Sequence, residues 1–130
     1  MSDTLVFHDV RRAPFAIHGL YDPQNQPVFR RMPDAVAAAV SPRVRELALH
    51  TAGGRVRFST DSSRVAIRAV MSAVTDWQHM SRSAYAGLDL DLDGPAGSAF
   101  HSHFMPPLNL GPGGYESTAQ FSERKMRGFT

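Results

Sequence analysis

The sequence predicts an all-β protein, a β-sandwich or jelly roll with one short helix, and three observations predict it. From Thr51 to Met71 the chain reads TAGGRVRFSTDSSRVAIRAVM, in which Val56, Phe58 and Thr60 alternate with Arg55, Arg57 and Ser59. Val65, Ile67, Ala69 and Met71 then resume the alternation beyond Asp61-Ser62-Ser63. Further on, Leu88, Leu90 and Leu92 alternate with Asp89, Asp91 and Asp93. A period of two puts apolar and polar side chains on opposite faces of a strand. The third observation is punctuation: ten Gly and nine Pro in 130 residues suit short strands joined by turns better than long helices.

Taken in order, Leu5–Val10 is a first strand candidate, and Asp22-Pro23 marks a turn after Tyr21. Val28–Pro33 is a second extended piece. Asp34 then suits the N-cap of a short helix through Val40, and Ser41-Pro42 stops it, because a residue before proline avoids helical angles. Leu47 and Leu49 alternate with Glu46, Ala48 and His50 before the Gly53-Gly54 turn. With the two runs around Asp61-Ser62-Ser63 paired as a hairpin, this gives an expected three-strand meander. Ala73–Arg82 is polar and holds Trp77. Tyr85–Asp93 is the next strand, closed by Gly94-Pro95, and Phe100–Phe104 and Tyr115–Phe121 follow.

The length suits one domain over residues 1–130, long enough to bury a core without disulfides. Cysteine is absent, which removes thiolate zinc sites and disulfide frameworks. The formal charge is only +2, and the arginines are interleaved with acids, so no concentrated basic face for nucleic acid is expected. MSDTLVFHDV has neither a basic region nor a long apolar one, and no run is long enough to span a bilayer. The expected setting is cytoplasmic, without nucleic-acid or membrane partners.

Chemistry-bearing patterns are few. Asp89, Asp91, Asp93 and Gly94 resemble the start of an EF-hand loop, but its twelfth position, a bidentate Glu in that motif, is Phe100. His101-x-His103 puts two imidazoles on one face of a strand, the spacing used by metal-binding jelly rolls such as the cupins. The later Glu and His of that arrangement are missing, so His101 and His103 are weak metal candidates and no cofactor is expected. No GxSxG elbow, GDS-type serine block, GxxxxGK loop or GxGxxG turn occurs, so the chain shows no self-sufficient active site. Trp77, Tyr85 and Tyr115, with surface arginines and aspartates, offer a face for a sugar or ester. Asp89 beside a glycine is expected to cap backbone donors.

The runs LALHTAGGRVRFSTDSSRVAIRAV and HMSRSAYAGLDL resemble the N-terminal domain of bacterial SGNH-hydrolase-type (GDSL-like) esterases. That module is named for a GxDLY signature, which Gly87, Leu88, Asp89 and Leu90 match, with Asp91 where the signature has Tyr. Phe29-Arg30-Arg31-Met32-Pro33 is similar to the block before the family's short helix, with an extra Arg. The resemblance implies a β-sandwich accessory domain, carbohydrate-binding-module-like, that packs against a catalytic α/β domain in cis or in trans. No catalytic residues carry over to this chain, and Arg30, Trp77 and Tyr85 stand as candidates for contact with a ligand or with that domain. A catalytic SGNH domain is absent from the sequence, so a C-terminal truncation, with an unpaired strand edge near Thr130, is also expected. Two alternatives stay open: a cupin-like metal site at His101 and His103, and a stand-alone interaction module.

Overall fold

The computed structural model describes residues 4–71, 81, 86–107 and 114–130. Its regular structure is mostly antiparallel strands with two short helices, so the fold class is all-β. Two compact units account for it: residues 9–58, and residues 1–8 with 59–130.

In the unit of residues 9–58, strand β1 (Ala16–His18) pairs antiparallel with β2 (Arg55–Thr60), Ile17 opposite Val56. Gly19 follows β1 at a φ of +78° and lies so close to the Gly53 carbonyl that no Cβ fits. The Phe15 and Phe58 rings sit 5.5 Å apart. Val28–Pro33 forms no strand, yet its backbone is satisfied: the Tyr21 amide donates to the Arg30 carbonyl, and the Arg31 amide to that of Ala48, each at 2.9 Å.

Helix α1 (Asp34–Val40) has the expected limits, but Asp34 is its first helical residue and Pro33 its cap, with no side-chain capping bond. The carboxylate is drawn to Arg45 instead. Ser41-Pro42 does not only stop α1; it starts a second helix, α2 (Pro42–Leu47). The Ser41 hydroxyl accepts from the Val44 amide at 3.1 Å, and proline suits the first helical position, whose amide would have no helical partner. Leu47 is therefore helical, not the start of a meander. Arg31 Nη2 donates to the Leu47 carbonyl at 2.9 Å, placing a cation at the C-terminal end of α2.

In the other unit, 5–9 lies outside any strand, and the Phe7 ring serves as a platform 4.1 Å below the Arg68 guanidinium. Strand β3 (Arg64–Ala69) does not form a hairpin with β2. It pairs along its whole length with β6 (Tyr115–Gln120), a separate two-stranded sheet. The polar link is built from side-chain bonds: the Ser62 amide donates to Thr60 Oγ1 and the Ser62 hydroxyl to the Arg64 carbonyl. Alternation fixes which face of a strand is apolar, not which strand lies beside it, so the wrong neighbour leaves the pattern intact.

Strand β4 (Leu88–Gly94), closed at Gly94-Pro95 as expected, forms a hairpin with β5 (Gly97–Phe104), with Gly97 at a φ of +107°. A third strand, β7 (Arg127–Phe129), joins β4 on its other edge, Phe129 opposite Leu92. The Asp91 and Thr130 amides each donate to the other's carbonyl, at 2.9 and 3.1 Å. The edge expected to be open near Thr130 is thus paired. Leu90, Phe104 and Phe129 are buried, as are Val65, Tyr115 and Ala119 of the β3–β6 pair. Leu88 is less enclosed than its alternation predicts, at 43% exposure.

Candidate functional site

The signature segment enters β4 from a buried anchor. Ala86 is buried, and its carbonyl accepts from the Tyr115 hydroxyl at 2.6 Å. Burial pushes the Tyr115 hydroxyl's pKa up, since ionisation would place a charge where water is excluded. Removing the hydroxyl with Tyr115→Phe is expected to cost about 1 kcal/mol in urea unfolding. Above the ordinary tyrosine pKa the unfolded chain loses this proton while the native chain keeps it. Native stability therefore falls as pH rises from there toward the raised value, and the Phe variant lacks that part of the slope.

Beyond Gly87, the pleat sends Leu90 inward to 2% exposure and turns Asp89 outward. Asp89 is in register with His103 across the hairpin, and His103 Nδ1 lies 2.7 Å from Asp89 Oδ1. An ionised carboxylate only accepts, so in this pair the imidazole donates from Nδ1. Asp89 is thus the partner of an imidazole across the hairpin. The side chains are 47% and 66% exposed, for His103 and Asp89, so water screens the pair. A double-mutant cycle with Asp89→Ala and His103→Ala is expected to give a coupling of about 0.2–1 kcal/mol.

The register shifts between Leu90 and Asp91: Leu90 faces Ser102, but Asp91 faces Phe100, and His101 is the extra residue of a β-bulge. His101 lies 4.8 Å from the Phe121 ring, which in turn contacts Phe129. His103 lies 4.8 Å from Phe100. Among the described residues no group of three or more His, Cys, Asp or Glu is placed to hold a metal ion.

The outward face of the hairpin therefore carries Asp89, Asp91, Asp93, Ser98, Phe100 and His103. Ser98 donates to Asp93 at 3.1 Å, and Phe100 stands 58% exposed. Sequence reasoning missed Phe100, whose outward direction follows from the bulge. Its position has a consequence for the signature: Phe100 faces Asp91, the residue standing where the signature has Tyr. An aromatic ring is thus present on this face, on the neighbouring strand.

Arg30 is nearly enclosed, its side chain 13% exposed, with Nη1 3.3 Å from Asp34 Oδ1 and a buried Nε that has no hydrogen-bond partner. Arg45 grips the same carboxylate with Nε at 2.8 Å and Nη2 at 2.9 Å. Those hydrogen bonds, followed by the charges of Arg45 and Arg30, outweigh partial desolvation and hold the Asp34 carboxyl below its usual pKa. Arg30 is thus a brace between the block before α1 and the helix itself. Trp77 and Tyr85, the aromatic contact candidates, lie outside the described residues.

The chain is thus all-β, with a signature strand on a hairpin in one unit and a braced pair of short helices in the other. The family model GxDLY, described as the N-terminus of SGNH-hydrolase-type esterases, matches residues 5–107. The chain belongs to that family. None of the curated proteins and none of the solved structures compared with it matches. Among the described residues no helix is long and apolar enough to cross a membrane.

Proposed function

We propose that residues 1–130 act as one accessory domain, jelly-roll-like in plan, that supports or specifies the hydrolysis of small or carbohydrate esters. The bond-breaking chemistry then belongs to a downstream SGNH catalytic domain, joined in cis or docked in trans. The observation that carries this reading is the family match over residues 5–107. The geometry supports it: the Asp89–His103 pair is oriented like an acid–base couple but stands in water. A general base works best where solvent is excluded and a nucleophile is held beside it. In this reading Gly87, Asp89 and Leu90 build the signature strand, and Arg30, Trp77 and Tyr85 serve contact with the catalytic domain or its ester. The cytoplasmic, bacterial setting is part of the same proposal.

The test is turnover of short-chain aryl esters by purified 1–130. Activity at the level of the uncatalysed reaction, unmoved by any single Ser substitution, is the expected result. Robust turnover abolished by one Ser substitution would place the catalytic centre in this chain and overturn the reading.

A further inference from the structure

Helix α1 reads DAVAAAV, and beyond its first residue it has no polar side chain on any face. A helix that is apolar all round is ordinarily enclosed, whereas a surface helix keeps a polar outer face. Here only Ala37 is enclosed, at 0% exposure, while Val36 and Val40 stand 54% and 65% exposed. They are four residues apart, so they lie one above the other on the same face. Exposed apolar residues scattered singly are normal on a protein surface, but a stacked pair on a helix without polar relief marks a contact.

The helix is also held ready. Bidentate Arg45–Asp34 bonds tie the start of α1 to α2, and Arg30 pairs with the same carboxylate. A partner meeting this face need not order it first, which removes one of the main costs of association. The surroundings set the partner's chemistry. Between residues 30 and 47 the basic groups are Arg30, Arg31, Arg43 and Arg45, against Asp34 and Glu46, an excess of two positive charges (four minus two). Arg43 and Arg45 have side chains 59% exposed. A complementary surface is therefore apolar at its centre and carries carboxylates at its rim.

We infer that the Val36–Val40 face of α1 is the surface through which this domain docks on the catalytic domain of its esterase. This rests on the accessory-domain reading above and adds the surface and its chemistry. A catalytic domain is favoured over other occupants because the family is defined by its place at the N-terminus of one.

The experiment uses the SGNH-type catalytic domain encoded by the same gene, purified separately and titrated calorimetrically with 1–130. The variant is Val36→Gln combined with Val40→Gln, because glutamine keeps helix propensity close to that of the best formers while removing the apolar face. Unchanged circular dichroism and melting of the variant would show that the fold is kept, and Met126→Gln, at an exposed apolar residue of the other unit, serves as a control. Binding weakened roughly tenfold or more by the glutamine pair and little changed by the control is expected, given what burial of two valines contributes. A second variant, Arg43→Glu, which leaves the Arg45–Asp34 bonds in place, should weaken binding and flatten its salt dependence.

Wild-type binding that the glutamine pair leaves unchanged would overturn this surface while the accessory reading stands. No binding by the wild type, to a catalytic domain of its own gene or to one encoded separately, would overturn both. Concentration-dependent self-association of 1–130 that the glutamine pair abolishes would assign the face to a second copy of the chain, and would overturn the proposal equally.

Discussion

Phe129→Ala is expected to lower the unfolding free energy by about 3–5 kcal/mol, the usual range for deleting a fully enclosed phenylalanine ring. Phe129 is 0% exposed, lies 5.6 Å from the Phe121 ring and sits opposite Leu92 on β4. The loss combines the ring's transfer free energy with a cavity that strands tied by backbone bonds cannot close. Small domains are stable by only about 5–15 kcal/mol, so the variant stands near the limit of folding at all. Phe129→Leu keeps most of the volume and is expected to cost less, which keeps the comparison measurable. Urea unfolding of both variants is the check. A loss below about 1 kcal/mol for Phe129→Ala would show that β7 contributes little to the sheet. The effect bears on function because β7 borders the strand that carries the signature: with Phe129 gone, the mutual Asp91–Thr130 bonds lose their packing support.

What the sequence made legible follows from what local pattern can encode. Helix α1 was readable to within one residue because Asp34 and Ser41-Pro42 frame it, and β4 was readable because three leucines alternate with three aspartates. The same Ser-Pro pair was misread as a stop alone, because its capping of α2 depends on where the Ser41 hydroxyl turns. The β2–β3 hairpin was a plausible neighbour choice, and β3 chose β6 instead, some fifty residues away (Arg68 opposite Glu116, |i−j| = 48). Strand β7 spans only three residues, too few to show any period. At the candidate site, Asp89 was visible from the signature, but its partner His103 was not, since cross-strand register is a tertiary property. The bulge at His101 is the clearest case: one extra residue set Phe100 opposite Asp91, and no composition marks it.

Gly114→Ala is the second large effect expected, about 3 kcal/mol or more, and its origin can be split experimentally. Gly114 precedes β6 at a φ of +80°, in the left-handed region that costs an L-residue roughly 1–2 kcal/mol. Backbone is packed against it as well. A Cβ built there would overlap the Ala69 carbonyl oxygen and lie 2.8 Å from both the Ala69 carbonyl carbon and Val70 Cα. These are main-chain atoms at the end of β3, so relief requires the Ala69–Tyr115 end of the β3–β6 pair to move. Gly97 supplies the reference: its φ of +107° is equally unfavourable, but nothing lies within 4 Å of its Cβ position. Gly97→Ala should therefore show the conformational cost alone, about 1–2 kcal/mol. The difference between the two variants in urea unfolding then measures the steric part. Equal losses at both positions would mean that β3 yields freely at Ala69, and that the close approach does not hold the second sheet in place. A larger loss at Gly114, with the Tyr115 hydroxyl bond to Ala86 disturbed, would show that this sheet also holds the entry to the signature strand.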